Sequence, residues 1–416
     1  MRRFALCTAI FALAACKAED PTTTESPTTD ATTDTTTATE APTGTTADEP
    51  TSTTDDDPTY AGACDGLTIP VIDESSCKPL ATDYTPRSNN SADDMWPACV
   101  SDSGPYTLVD KSPSTIARIV AYENIAELLW RNGEPTPADF TAARNEYVLA
   151  EGLESRVVRR EDLHYPPIPE AEWDPQVDPD KQCTVTDLAT KHAQRCVGPA
   201  LMQPLIDGAF AAGQAGEGDP KVHAARIHAG LLWFLYLSTY KEANTCATVA
   251  PKDCDSAWSY YTGGEPLEGG IGMAAEVLAI SDNTHARIHD GIMAVRCWRD
   301  INQDDMGMYP LLDAVSKDQQ DLFERGWEQL DQGLHRGFAL IVRDHLRQYV
   351  NAICDGADAD GLWAFLQVAG PVLGREAQER DPVKATILAD LWASTSPSPS
   401  DIALAITALD EIFPCP

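Results

Sequence analysis

The chain has 416 residues, with 65 acidic against 30 basic side chains and a formal charge of −35 at pH 7. Neutralising a phosphate backbone requires a basic surface, so this balance excludes a nucleic-acid partner. It suits cations, basic partners, or simply a surface kept soluble by self-repulsion.

The N-terminal stretch MRRFALCTAIFALAAC sets Arg2 and Arg3 before an apolar run that ends in Leu13, Ala14, Ala15 and Cys16. A charged start and a short apolar core read as an export signal, too short to span a bilayer. The last four residues resemble the end of a bacterial lipoprotein signal, whose lipobox is Leu, two small residues and Cys. The resemblance implies a signal peptide over 1–15, acylation of Cys16, and a membrane partner reached through the lipid anchor. That places the chain in the cell envelope, outside the cytoplasm. Each buried CH2 of an acyl chain contributes about 0.8 kcal/mol, and stable anchoring takes more than one chain. No later run reaches the roughly eighteen apolar residues of a membrane span.

Residues 16–58 follow the anchor position with little besides Thr, Asp, Glu, Pro, Ala and Ser. Such a stretch buries too little to offset the entropy of ordering, and its carboxylates repel one another, so a disordered stalk is expected. Its Thr and Pro content also suits O-glycosylation. The stalk carries about −10, which leaves roughly −27 on residues 59–416, so the acidity is not confined to the tail.

Residues 59–110 are loop-rich and contain Cys64, Cys77 and Cys99. Setting aside Cys7 and Cys16, ten cysteines remain, an even number that in an exported chain predicts disulfides. No CxxC pair occurs, which argues against zinc ribbons and thioredoxin-like chemistry. About 945 pairings are open to ten cysteines. Cys246 with Cys254, across the Pro-containing loop CATVAPKDC, is the best local pair, and Cys354 with Cys415 would staple the C-terminus.

From residue 111 onward the pattern is helical. STIARIVAYENIAELLWRN sets Ile116, Ile119, Val120, Ile125, Leu128 and Leu129 on a stripe of period 3.6, with Ser112 or Ser114 as N-cap. A second helix opens at Thr136-Pro137 and runs on through ESRVVRRE. LHYPPIPEAEWDPQVDPDKQ is too rich in proline to be regular. Further helices are expected near 185–214, 220–243, 270–280, 283–300, 316–352, 357–376, 382–395 and 399–412. Few runs alternate with period two, so residues 111–416 read as one all-α, multi-helix domain with a substantial core.

Two internal similarities stand out. HAARIHAGL, from His223, and THARIHDGI, from Thr284, share Ala-Arg-Ile-His-x-Gly and place His228 and His289 alike. AGLLWFLYL at 229–237 aligns without gaps with DGLWAFLQV at 360–368, which hints at an internal duplication. On a helix His285 and His289 are one turn apart and, with Asp290 as a third donor, form a candidate divalent-metal site. The row continues to Met293 and Cys297. The earlier copy lacks the pair, because His223 and His228 are five apart and its row runs His228, Leu232, Tyr236, Tyr240. A duplicated helix with a hydrogen-bonded, partly buried histidine is therefore the first reading and metal ligation the second.

Other motifs fail. Asp300, Asn302 and Asp304 have calcium-loop spacing, but Asp305 replaces the turn glycine and Leu311 the closing Glu, so a solvated loop is expected. DGADADG at 355–361 fails similarly. HExxH, GxSxG, P-loop and dinucleotide signatures are absent, and Glu146, Glu151 and Glu154 beside Tyr147 read as a solvated face. A non-enzymatic protein is expected.

CDSAWSYYTGG at 254–264 and GLWAFLQVAGP at 361–371 resemble elements of the low-iron-inducible secreted (iron-assimilating) proteins of algae. Trp258, Tyr261 and Gly263 fit a Trp-x-x-Tyr-x-Gly element, while Gly361, Phe365 and Pro371 fit a Gly-x-x-Phe element followed by Pro. The resemblance implies a helical, secreted, cation-associated protein, with iron as the metal, and transfers no ligand residue. The leading expectation is thus a surface lipoprotein whose acidic helical domain binds a metal ion or a small partner. The alternative is a structural or adhesive envelope protein that meets another envelope protein and has no ligand.

Overall fold

The computed structural model describes residues 64–86, 95–110, 114–149, 152–304 and 306–415. Cys16, the expected signal peptide over 1–15 and the expected stalk over 16–58 lie outside the described residues. The chain divides into Met1–Asp56 and Asp57–Pro416, and the second unit is described below. It is all-α, with fourteen α-helices and no strand among the described residues. None of those helices is long and apolar enough to cross a membrane.

α1 (Ile116–Leu129) and α2 (Pro137–Val148) pack as a helical hairpin. Ile119, Ile125 and Leu129 are buried, but Val120 of the expected stripe faces solvent. α1 starts after Thr115, without a side-chain cap. α2 opens where Thr136-Pro137 predicts: Asp139 N–H donates to Thr136 Oγ1, and Thr136 N–H returns a bond to Asp139 Oδ2 at 2.8 Å. It ends at Val148, and only the single turn α3 (Glu154–Val157) follows. The stretch 185–214 is likewise divided. α4 (Thr186–Lys191) and α5 (Gln203–Ala215) are separated by the irregular turn Gly198–Met202. A Cβ on Gly198 would lie 2.2 Å from Val157 O and 2.6 Å from Arg160 N, so glycine is what lets this turn rest on the preceding loop.

Two long helices organise the rest. α6 (Pro220–Thr248) is apolar on nearly every side through GLLWFLYL, as a central helix must be. α7 (Asp253–Thr262), α8 (Met273–Ile280), α9 (Asp282–Ile301), α10 (Lys317–Cys354) and α11 (Asp360–Ala369) surround it. α12 (Gly374–Arg380), α13 (Pro382–Ala393) and α14 (Pro399–Ile412) close the domain. α7 was not foreseen as a helix. Its Trp258-x-x-Tyr261-x-Gly263 element is a helix end, with Gly263 at φ 70° supplying the left-handed turn.

α10 is about 57 Å long at 1.5 Å per residue and lies antiparallel to α6. The contacts run Tyr240 with Trp327, Tyr236 with Phe338 and His228 with His345, at ring separations of 4.9, 5.2 and 6.1 Å. The repeated Ala-Arg-Ile-His-x-Gly has a packing reason in both places. Gly230 lets α6 approach Ile206 of α5, and Gly291 lets α9 approach the backbone of Leu330 on α10. The two aligned segments 229–237 and 360–368 fall in α6 and α11, which pack on each other.

Five disulfides join the ten cysteines. Cys246–Cys254 pairs as expected and Cys183–Cys196 is a second local bridge. Cys354 does not pair with Cys415: Cys354 meets Cys64, Cys415 meets Cys77, and Cys99 meets Cys297. The reason is that the loop-rich N-terminal segment lies across the helices. Arg343 Nη2 donates to Pro70 O at 2.5 Å, Tyr84 N–H to Gln329 Oε1 at 2.8 Å, and Val100 N–H to Asp300 Oδ2 at 2.9 Å. The bond from Val100 occupies Asp300, and Asp304 Oδ1 accepts from Met306 and Met308 N–H, so this stretch is a loop closed on itself.

Candidate functional site

The seam between α6 and α10 collects imidazoles, tyrosines and carboxylates. On α10, Asp331 and His335 are i, i+4 neighbours and face α6. On α6, Tyr236 and Tyr240 form the matching pair. His164 enters from the proline-rich loop and stacks on Tyr240 at a centroid distance of 4.0 Å. His164, Asp331 and His335 each offer one donor atom, all within 4.8 Å of one another.

His164 Nδ1–H donates to Asp162 Oδ1 at 2.7 Å, and Nε2–H to Asp331 Oδ1 at 3.0 Å. Burial alone would discharge this imidazole, but the two carboxylates outweigh it and lift its pKa to about 9. Asp331 is held well below the usual carboxylate range, its own burial being overcome by His335 and His164. His335 Nδ1 lies 3.0 Å from the Asp331 carbonyl oxygen, and its Nε2 lies 3.9 Å from Glu376 Oε2. His164 and His335 line a chamber of about 20 Å³ together with Asp162, Tyr165, Tyr236, Arg375 and Glu376, room for one water or one ion, and Asp331 lies outside that lining.

The loop that carries His164 is pinned from behind. Arg195 Nη1 donates to Tyr165 O at 2.9 Å and Asp162 O at 3.2 Å, and its Nε to Glu161 Oε2 at 2.8 Å. Asp162 N–H donates back to Arg195 O at 2.8 Å. The neighbour of Arg195 is Cys196, bridged to Cys183 in a small satellite core with Ile168 and Ala189. Thus a local disulfide fixes Arg195, Arg195 fixes the loop, and the loop aims the imidazole.

A second histidine network lies further along the seam. His228 Nε2–H and Tyr122 O–H both donate to Glu276 Oε1, at 2.8 and 2.9 Å. His228 stacks on Trp130 and His345 on Phe365, while His345 Nδ1–H donates to Ile341 O. Burial works against the charge on Glu276, yet His228 keeps its pKa below the usual range. This is a satisfied polar core, the role expected for the histidine of the repeated motif.

His285, His289 and Asp290 are placed differently from the metal trio imagined on α9. His285 Nε2–H donates to Leu267 O at 2.9 Å, and its Nδ1 accepts from Tyr261 O–H at 3.0 Å, so both ring nitrogens are engaged. Burial lowers its pKa, as suits a neutral ring. His289 is buried, Met293 is core, and Cys297 is bridged to Cys99. Asp290 lines a different cavity, with Arg287 and Arg336. The trio is not among the described groups whose donors lie within 4.8 Å of one another.

Two such groups besides the His164 cluster do exist. Glu74, Cys77 and Cys415 form one, but both sulfurs are bonded to each other. Asp219, Asp358 and Asp360 form the other at the surface, where Lys221 Nζ already holds Asp358 at 2.8 Å. Among the described residues, the His164 cluster is the one of these three groups that combines two imidazoles with a half-buried carboxylate. Its α10 half was visible as Asp-x-x-x-His in LDQGLHRGF. Its loop half was not, because nothing local in LHYPPIP says where the ring will point. The chain matches no protein-family model, no curated protein and no solved structure, so the functional reading rests on this geometry alone.

Proposed function

We propose that this chain is an exported, lipid-anchored protein whose acidic helical domain binds a divalent metal ion at His164, Asp331 and His335. The observation that carries the reading is the meeting of two imidazoles and a carboxylate, from a loop and a helix, with donor atoms all within 4.8 Å of one another. Two histidines and one carboxylate on one side of an ion are a donor set suited to iron, zinc or another first-row metal, and they leave positions open. The carboxylates Asp162 and Glu376 favour positive charge there and the Arg375 guanidinium in the same lining opposes it. Anchoring through Cys16 supplies the cell-envelope location, and binding rather than catalysis is the role assigned.

Calorimetric titration of the metal-free full chain with Zn(II), Mn(II), Fe(II) and Cu(II) tests this. One equivalent is expected to bind, with His164→Ala/His335→Ala weakening it at least a hundredfold and His285→Ala leaving it unchanged. Silence with all four metals, or unchanged binding in the double variant, overturns the reading.

A further inference from the structure

Residues of α1, α3, α6 and α7 contribute to a cavity of about 270 Å³ that includes none of His164, Asp331 and His335. Among the described residues its lining holds no aliphatic side chain. Ser114, Thr115, Ser256 and Tyr260 supply hydroxyls, and the rest of the lining is charged. An apolar void can stay dry, whereas walls of this kind must meet water or a polar ligand. The charges enter on different elements: Arg118 and Arg156 on α1 and α3, Glu242 and Asp253 on α6 and α7.

Arg118 is buried, and its Nη1 donates to Thr115 Oγ1 at 3.2 Å and to Tyr260 Oη at 3.5 Å. Burial raises the pKa of Tyr260, and the charges of Arg160, Arg118 and Arg156 work against that rise, so three guanidiniums act on one hydroxyl. RVVRR, three arginines within five residues of an acidic chain, supplies two of them. Among the carboxylates, Asp253 is pushed up, first by burial and then by the charge of Glu242, and a carboxylate held in this way gains from an added cation. Asp255 is already engaged, since it accepts from Val109 and Asp110 N–H and from Tyr106 O–H. Setting it aside, Arg118, Arg156 and Lys252 in the lining stand against Asp110, Glu242 and Asp253. That balance favours neither a bare anion nor a bare cation. It favours a ligand that carries both charges.

We propose that this cavity binds a free α-amino acid with a polar side chain, its carboxylate on Arg118 and Arg156, its ammonium on Glu242 and Asp253, and its side chain among the hydroxyls of Ser114, Thr115 and Ser256. Guanidinium groups suit a carboxylate because their forked donors match its two oxygens. The volume falls just below that of drug-sized sites, as befits so small a ligand. Binding here does not depend on a metal, and no bond is made or broken.

The test uses the full chain in EDTA, so that chelation of a stray metal cannot imitate binding. The twenty standard L-amino acids are screened by thermal shift. At least one with a polar side chain should raise the melting temperature by about 2 °C or more at saturation. That amino acid is then compared in a calorimeter with its N-acetyl form and its primary amide, each of which lacks one of the two charges. Each blocked form is expected to bind at least tenfold more weakly. Arg156→Gln should bind the free acid and the amide alike, and Asp253→Asn the free amine and the N-acetyl form alike, a pattern that general damage to the fold does not produce. His164→Ala/His335→Ala should leave these affinities within threefold. No shift with any amino acid, or a shift confined to apolar ones, overturns the proposal. Blocked forms that bind as tightly as the parent, or equal weakening of all three forms in both variants, overturn it as well.

Discussion

His164 Nε2–H donates to Asp331 Oδ1 at 3.0 Å across 167 residues of chain, and Asp162 takes the other ring N–H at 2.7 Å. Two carboxylates favour the protonated ring in the metal-free chain, and a metal ion bound at His164 would displace one of its ring protons.

The first consequence is a pH dependence of stability in the metal-free protein. The folded pKa of His164, about 9, lies above the unfolded value near 6.5, so its contribution is fully present below the unfolded value and is lost as pH rises through the folded one. The full effect is about 3 kcal/mol by linkage. Urea unfolding at pH 6.5 and pH 9.5 should show the wild type losing stability over that window. His164→Gln should show a much flatter profile, and equal slopes would remove the imidazolium from the account.

Arg195 offers a way to disturb the metal site without entering it. Its guanidinium bonds to the carbonyls of Asp162 and Tyr165 and to Glu161, while the Cys183–Cys196 bridge holds its own segment. Arg195→Ala is expected to weaken Zn(II) binding by at least tenfold in calorimetry, with the far-ultraviolet helix signal retained. Arg195→Lys should not restore affinity, since one ammonium cannot reproduce the forked bonding.

The two motif glycines should differ in how far they tolerate a methyl group. A Cβ on Gly291 would fall 2.7 Å from Leu330 Cα and 2.8 Å from Leu330 N, atoms of a helix backbone that cannot step aside. On Gly230 it would meet Ile206 Cγ1 at 2.9 Å, a side chain with some freedom. Overpacking of this kind costs about 1–3 kcal/mol. Gly291→Ala is expected near the upper end and Gly230→Ala near the lower, by urea unfolding. Because Leu330 precedes Asp331, Gly291→Ala should also weaken metal binding, which Gly230→Ala should not.

Peptide mapping without reduction checks the covalent framework. It should recover Cys64–Cys354, Cys77–Cys415, Cys99–Cys297, Cys183–Cys196 and Cys246–Cys254. A Cys354–Cys415 peptide would contradict the packing of the N-terminal segment on α10.

What the sequence disclosed and withheld follows one physical line. Helices announce themselves through local periodicity, so α6, α9, α10, α13 and α14 were legible, as was the Thr136-Pro137 start of α2. Near neighbours such as Cys246 and Cys254 were legible for the same reason. Cys415 and His164 were not, because their partners are chosen by how distant segments pack. The His285–His289 spacing drew attention as chemistry, yet the α9 row faces Tyr261, Leu267 and the core, and spacing alone does not say what a helix face meets.

The three bridges at Cys64, Cys77 and Cys99 have a mechanical corollary. Tension that arrives at Cys64 crosses a sulfur–sulfur bond and passes directly into the last turn of the 38-residue helix α10. The loop-rich segment behind that first rivet is shielded from the pull. A tug on this protein therefore drags the whole bundle as one body instead of peeling its outer layer away, for as long as the bridge stays oxidised.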